Sequence, residues 1–564
     1  MIKLICSTLT SICLTTSVLA SNLEYENRIS LPHTILNGAG GQEGLKANFL
    51  RLAIKEGTPE KIPEEARLES EELIKIANES LKQISDHQAS PSQTKFFEGL
   101  EDLSGIPFIT IDNDYSKDLD QAMYISKESD GSFIVYYAIA DASWFLQEGS
   151  SLDTHASNTI FTTYLPGFDV PVLPRNLSEG ICSLNPDELR RSIVAIMQTD
   201  SDGNLLKNKK FPTGYTFSHA MVKNIKQLSY RGVQEYYNSL DNTGDHEWQS
   251  EIFHDTLDNL RDLGKALRIQ ALKRGVVNFP EGEFRIFPDN QTWSMGLYKR
   301  FEVEKYNEQI SVLANHVVGK FISEAGMKSL HRHHPEPEDY IFRHLKSKLD
   351  FLKISSGWKP GMSQAPLVHS YHQKIETGHK QCKKYQAGLE VTCRTNLRAE
   401  YSFDQAGHEG LKLDDYDHFT APMRRYTDVV VHRILLALME GKTIPYQSDS
   451  YEDFVEVINK ASAREKTIDR NVKNYVANLV LKSRLGKKLS GTVMYIHRKY
   501  MTVEINGMPF DISIQLESLN DAKSNCKKTI VSTKSGSKFR LGNTYQFKVV
   551  ELDDEPGMYS LSPI

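Results

Sequence analysis

A chain of 564 residues that is 39% hydrophobic and 25% charged holds enough apolar material for several packed units, which excludes a fibrous or disordered protein. Its net charge of −6 excludes a protein that coats nucleic acid through a uniformly basic surface. The charge is uneven, however. Residues 461–564 carry 17 Lys and Arg against 10 Asp and Glu, whereas the 460 residues before them carry 50 against 63. A basic end on an acidic body suits local phosphate binding beside a carboxylate site.

In chain order, the first segment is MIKLICSTLTSICLTTSVLA, residues 1–20, with one early lysine, an apolar stretch and small residues at Val18-Leu19-Ala20. It reads as a secretory signal peptide, so the mature chain is expected to be exported and to carry no membrane anchor. Residues 21–104 form the next unit. Their helix-prone, acidic stretch PEEARLESEELIKIANESLKQI predicts a small helical N-terminal region packed on the main domain. At Ile106 the pattern changes: PFITID reads as a strand ending at Asp112, and QAMYIS and SFIVYYAIADAS read as two strands joined through the Asp-Gly of KESDG. Later, Glu304 to Gly326 shows apolar residues at i, i+3, i+4 and i+7, a helix signature. Strand-like runs alternating with such helices make residues 105–489 an α+β domain. A helix is also predicted from Tyr451 to about Leu489. After it, short alternating strands broken by Gly and Asn over residues 490–564 suggest a small oligonucleotide-binding (OB) β-barrel. No CxxC pair occurs, which argues against a zinc site. Cys382 and Cys393 are near enough in sequence to form a disulfide or to be two free thiols.

Two segments carry chemistry. IDNDYSKDLDQA (Ile111 to Ala122) places carboxylates on a loop between a strand end and a hairpin. Hard cations such as Mg²⁺ choose oxygen ligands of this kind. HFTAPMRRYTDVVVHR (His418 to Arg433) supplies adjacent arginines, whose planar forks match phosphate. Acid and arginine together point to phosphodiester hydrolysis at a magnesium site, with RNA as the substrate. By itself, the aspartate spacing is equally that of a solvated acidic turn or a calcium-like loop.

Five further segments occur in a familiar order: AIADASWFLQEGSSLD (Ala138 to Asp153), LPRNLSEGICSLNPDELRRS (Leu173 to Ser192), YNEQISVLAN (Tyr306 to Asn315), LHRHHPEP (Leu330 to Pro337) and AEYSFDQAGHEGLKLDDYDHFTAPMRRY (Ala399 to Tyr426). With the aspartate loop, they make the chain from Ile106 onward resemble the RNase II/RNB exoribonucleases. The resemblance implies an RNB-type catalytic domain followed by an OB-fold RNA-binding barrel. The two cold-shock barrels that often precede the catalytic domain are not recognisable. It further implies a monomeric 3′-to-5′ exoribonuclease that threads single-stranded RNA into a channel and releases nucleoside 5′-monophosphates. The expected cofactor is Mg²⁺, with Mn²⁺ satisfying the same ligands.

By the same resemblance Asp112, Asp118 and Asp120 hold metal, Asp120 being catalytic, and Gln121 occupies the position of a fourth aspartate. Glutamine offers a neutral oxygen without charge, so metal binding is expected to weaken unless Asp114 moves in. A relative that binds RNA without cutting it is the alternative. Arg424 and Arg425 match the arginines of the family's SPIRRY segment; Arg424 is the favoured phosphate ligand, and an ion pair with Asp428 is the competing role. Tyr416, Phe419 and Tyr426 are candidates for the wall on which bases stack, or else core aromatics. His418 and His432 are expected to make core hydrogen bonds. Arg498 and Lys499, with the run Lys527 to Arg540, are expected to line a basic path for RNA.

Overall fold

The structure is a computed structural model describing residues 25–31, 40–242, 244–277, 282–289, 292–355, 357–378, 380, 382–404, 406–448, 451–519, 522–552 and 555–564. The signal-like segment 1–20 lies outside them. Among the described residues, no helix is long and apolar enough to cross a membrane.

In chain order the N-terminal part contains β1 (Tyr25–Ser30), α1 (Gly41–Lys55) and α2 (Glu64–Ser85). The expected helical region therefore begins with a strand. The six-stranded sheet comes next: β2 (Glu101–Asp102), β3 (Phe108–Asp112), β4 (Gln121–Lys127) and β5 (Phe133–Ala140). After α3 (Ser151–Thr159) and the hairpin β6 (Thr163–Leu165) and β7 (Phe168–Val170), it is completed by β8 (Leu189–Thr199) and β9 (Tyr215–Ser229). Its order is β2-β9-β3-β4-β5-β8, with β9 also pairing β8. The first half of β9 lies antiparallel to β8 and the second half parallel to β3, so the sheet closes on itself. β3 and β5 are buried almost throughout, as continuous apolar runs covered on both faces should be. β3 and β4 share only the pairing Ile109↔Met123. The chain between them is thus released from the sheet just where the aspartates occur.

Helices α4 (Tyr230–Asn242), α5 (His254–Arg274) and α6 (Glu302–Glu324) cover this sheet, with β10 (Glu283–Asp289) and β11 (Thr292–Tyr298) between the last two. The predicted helix 304–326 is α6, displaced by two residues. Next come β12 (His331–His333), α7 (Asp339–Leu352), α8 (Ala365–Glu376), α9 (Cys382–Cys393), β13 (Glu400–Ser402), α10 (Tyr426–Met439) and α11 (Glu452–Lys482). α11 stops before the expected Leu489 because β14 (Lys488–Ile496) begins there. With β15 (Tyr500–Ile505), β16 (Asp511–Gln515), β20 (Thr544–Leu552) and β21 (Glu555–Pro563), β14 forms a five-stranded antiparallel sheet of the OB kind. Short strands β17 (Lys523–Ser524), β18 (Ile530–Ser532) and β19 (Lys538–Arg540) form a separate sheet.

Buried side chains fall into two clusters that cut across the expected units. The first gathers the six-stranded sheet, α2, α4 to α6, α10 and the start of α11. The second gathers α1, the β1-β11-β10 sheet, α7 to α9, the rest of α11 and the barrel. Cys382 and Cys393 stand at opposite ends of α9, about 16 Å apart at helical rise, far beyond disulfide reach, and both are free thiols.

Candidate active site

The carboxylate loop is shaped by its own residues and by one serine. The Asp112 carboxylate Oδ1 accepts hydrogen bonds from the Asn113 N–H (2.7 Å) and the Ser116 hydroxyl (2.9 Å), turning the chain away from β4. Ser183, from the segment Leu173 to Ser192, donates to the Lys117 carbonyl (2.7 Å), and its oxygen accepts the Leu119 N–H (3.0 Å). The loop returns inward at Asp120, which is only 6% exposed. Its Oδ1 accepts the Met423 N–H (3.0 Å), and its Oδ2 lies 3.9 Å from Arg424 Nε. Burial pushes the Asp120 carboxyl up to about 8, opposed by Arg424 and the Met423 bond. Burial and the neighbouring Asp112 charge raise Asp118 as well.

The facing loop, Phe419 to Arg425, is held from several directions. Asn315 on α6 accepts the Phe419 N–H (2.9 Å) and donates to the Tyr416 hydroxyl (3.2 Å). Farther along α6, His316 donates to the Asp415 carbonyl (2.8 Å) and Ser323 to the Asp415 carboxylate (2.7 Å). Between them Gly319 allows close approach: a Cβ there would stand 3.0 Å from Asp417 Oδ1. Asp428 accepts the Ala421 N–H (2.8 Å), and the Thr162 N–H donates to the Arg424 carbonyl (3.1 Å). The segment YNEQISVLAN therefore serves to position the arginine loop, a role that its apolar periodicity concealed.

The two arginines differ. Arg425 donates from Nε (2.9 Å) and Nη2 (2.7 Å) to the two oxygens of Asp428, whose side chain is fully buried. The competing ion-pair role thus belongs to Arg425, and its expected catalytic part is corrected to an anchor. Among the described residues the Arg424 guanidinium has only the 3.9 Å approach to Asp120, and 44% of its side chain is exposed. It is the arginine available to a phosphate.

Gln121 has both ends engaged. Its Nε2 donates to the Thr420 carbonyl (2.5 Å), and its Oε1 accepts from the Tyr137 hydroxyl (3.1 Å), itself 2.7 Å from Ser311 Oγ. An aspartate could not donate to that carbonyl. The residue expected among the metal ligands is here a tie between β4 and the arginine loop. Asp114 does not replace it; its exposed carboxylate lies 3.6 Å from Arg231.

The three expected wall aromatics are corrected by burial. Phe419 is fully enclosed against the His432 ring, Tyr426 donates to Asp153 (2.7 Å), and Tyr416 is held by Asn315. The run TAPMRRY turns inward to anchor itself, so its aromatics enter the core. His418, 2.7 Å from the Tyr401 hydroxyl, is driven well below its ordinary pKa by burial and nearby arginines, and His432 bonds the Phe419 carbonyl (2.8 Å), as core histidines do. Arg498 and Lys499 are exposed on the β14–β15 turn.

Two residues that the sequence did not single out belong here. Tyr164, on β6, is 54% exposed, and its hydroxyl feels the charges of Arg424, Asp118 and Asp120. An exposed tyrosine in a half-polar hairpin has no periodic signal to mark it. Arg332, on β12, lies 4.5 Å over the Tyr401 ring, has a buried Nη1 without a partner among the described residues, and is within electrostatic range of Arg425.

Among the described residues, no three His, Cys, Asp or Glu side chains converge as a ready-made metal cage. The donor set still suits a hard cation. Asp118 and Asp120 are neighbouring carboxylates whose charged forms are disfavoured by burial, and Mg²⁺ commonly takes one or two carboxylates with substrate phosphate completing its shell.

The closed sheet thus brings an acidic loop, at Asp120, against an arginine loop, at Met423 and Arg424. The chain belongs to the RNB domain family, whose match covers residues 100–441. It is 28% identical to Ribonuclease R of Thermotoga maritima over 487 residues, covering 83% of this chain and 66% of that protein. Against Ribonuclease R of Escherichia coli K12 the identity is 27% over 484 residues, with 82% and 57% covered. The chain spans between 55% and 66% of the length of these two and of six further curated relatives named Ribonuclease R or Ribonuclease R 1. The apo form of Mycoplasma genitalium RNase R shares its fold at a TM-score of 0.76 and 22% identity, covering 92% of this chain and 78% of that one. Yeast Ssd1, described as a pseudonuclease, aligns at 0.58 and 16%, covering 78% and 53%.

Proposed function

We propose that this protein is a divalent-metal-dependent 3′-to-5′ exoribonuclease that hydrolyses single-stranded RNA to nucleoside 5′-monophosphates, acts as a monomer and is exported. The observation that carries this reading is the pairing of a free arginine, Arg424, with the buried carboxylate Asp120. Asp118 and Asp120, with Asp112 beside them, would hold Mg²⁺ or Mn²⁺, which when bound supplies positive charge at the scissile phosphate. Arg424 turns its fork to the same phosphate and stabilises the charge that develops there. The Met423 N–H orients Asp120, Arg425 and Asp428 fix the loop from behind, and Tyr164 offers its exposed face to the terminal base. Water adds to phosphorus and the bond to the preceding 3′ oxygen breaks, leaving a shortened RNA and a nucleoside 5′-monophosphate.

The substrate assignment is supported by the solved complexes of Mycoplasma genitalium RNase R with ribose-methylated single-stranded RNA and with double-stranded RNA. Export rests on residues 1–20 alone. A second reading, an RNA-binding protein without cleavage, is favoured by the engagement of both ends of Gln121.

The test is incubation of residues 21–564 with 5′-labelled single-stranded RNA and a DNA control, in Mg²⁺, Mn²⁺ or chelator, beside Asp120→Asn. A metal-dependent ladder on RNA alone, absent in the variant, supports the enzyme. RNA retarded but uncut under every metal supports the second reading. N-terminal sequencing of protein recovered from the cell exterior tests export: an intact Met1 on cytosolic protein rules it out.

A further inference from the structure

Far from the aspartates in sequence, one lysine is buried without an ion pair among the described residues. α7 carries two lysines, Lys346 and Lys348. Lys346 pairs with Asp350 at 2.5 Å in the ordinary i, i+4 manner. Lys348 shares the inward face with Leu345, Leu349 and Leu352 and is 6% exposed. Among the described residues its ammonium makes no hydrogen bond and no ion pair. It faces instead the ring of Tyr495 on β14, whose centroid lies 4.0 Å from Nζ. The same ring is approached by the Arg394 guanidinium at 4.3 Å, just past the end of α9. Arg394 uses Nε to bind Glu390 at 2.5 Å, and its two Nη groups have no partner among the described residues.

The surroundings add positive charge. Lys528 and Arg394 both act on Lys348, and Lys528, Lys348, Lys499 and Arg394 all act on His497. The nearby carboxylates are largely engaged: Glu390 by Arg394, and Glu504 by Lys383 at 2.7 Å, with Asp511 beside them. Burial and these like charges bring Lys348 down to about 7, opposed by the Glu390 carboxylate that Arg394 already binds. A cation–π contact restores only part of what an ammonium loses on leaving water, and two cations on one ring repel each other. Stability does not account for this arrangement; an anion shared between the two cations does.

We propose that the seam between helices α7 and α9 and strand β14 is a phosphate-binding site, built by Lys348, Arg394 and Lys528 around Tyr495, which grips a backbone phosphate of bound RNA. The RNA assignment rests on the proposed function; the phosphate assignment rests on the cluster itself. Phosphate suits the site because an arginine edge and an ammonium together match its tetrahedral oxygens. Tyr500, whose ring centroid lies 6.3 Å from that of Tyr495, adds aromatic surface of the sort that accompanies backbone contacts in single-strand binding.

The test uses the full chain carrying Asp120→Asn, so that RNA is held and not consumed. Lys348→Met keeps the length and removes the charge; Arg394→Gln, at an exposed position, guards against misfolding. By fluorescence anisotropy, each is expected to weaken single-stranded RNA binding about tenfold and to make the salt dependence shallower by about 0.7 in the logarithmic slope. The melting temperature of Lys348→Met should equal or exceed that of the parent. Unchanged affinity and slope in both variants overturn the proposal. In parallel, Lys348 is labelled with an amine-directed acylating reagent in buffer, inorganic phosphate or RNA. Protection by both ligands supports the site; protection by phosphate alone makes free phosphate the ligand and overturns the RNA assignment. Loss of all RNA binding with phosphate protection intact would instead defeat the proposed function and leave the phosphate site standing.

Discussion

The two cores of this protein treat buried charge differently. Around the six-stranded sheet, enclosed polar groups answer one another: Asp428 is paired with Arg425, Asp417 with His331 at 2.6 Å, Asp141 with Arg191 at 3.0 Å, and Asp153 with Arg433 at 2.5 Å. In the core shared by the barrel and α7 to α9, Lys348 is enclosed against the Tyr495 ring with no ion pair among the described residues. The difference separates charge that holds a fold from charge held ready for something else. Asp120 and Arg424 belong with the second kind, although they sit in the first core, because their mutual approach of 3.9 Å is too long for a strong pair.

The largest effect expected within this comparison comes from Asp120→Asn, which should reduce RNA hydrolysis to the limit of detection while leaving RNA binding. The same variant tests the energetics. Because the Asp120 carboxyl is raised to about 8 from an unfolded value near 4, its stabilising contribution is complete below pH 4 and is lost as pH rises towards 8. In chelator, the fall in melting temperature over that window should flatten in Asp120→Asn.

Next come the arginines. Arg425→Ala should destabilise the protein by about 3–5 kcal/mol in urea unfolding, because it strands the buried Asp428. Arg424→Ala should lower turnover by about 10²–10³-fold with little change in the unfolding midpoint. Equal loss of stability in both variants would erase the distinction between anchor and ligand.

Gln121→Asp removes a donor and points a carboxylate at the Thr420 carbonyl, so it should cost about 1–3 kcal/mol of stability in chelator. Restored or increased turnover in Mg²⁺ with unchanged stability would return position 121 to the metal site. The smallest change expected is in Tyr164→Ala, a loss of about 1–3 kcal/mol in binding the RNA end, read by anisotropy with Asp120→Asn as background.

Much of the architecture is legible in the chain because short-range patterns record it. The period of α6, the Asp-Gly turn between β4 and β5, and the alternating strands of the barrel all arise from local backbone preference and one-sided burial. β1 leaves no such trace because its partner lies in residues 292–298, and nothing local announces a pairing across that distance. The aromatics Tyr416, Phe419 and Tyr426 are ambiguous for the same reason. An aromatic beside a functional arginine has the same one-dimensional signature whether its ring faces a channel or the core.

By itself, then, the sequence determined where the acidic and arginine segments stand in the chain. The order and spacing of acidic and arginine segments are linear properties, and so are the strand and helix periods that frame them. Only the tertiary structure decided which members of each set are free: Arg424 and not Arg425, Tyr164 and not Tyr426, and Gln121 as a tie between two loops. That choice depends on which hydrogen-bond partner reaches a side chain first. Asp153 and Thr420 are brought to theirs by a fold that closes over separations of 273 and 299 residues, whereas Asp428 stands only three residues from Arg425.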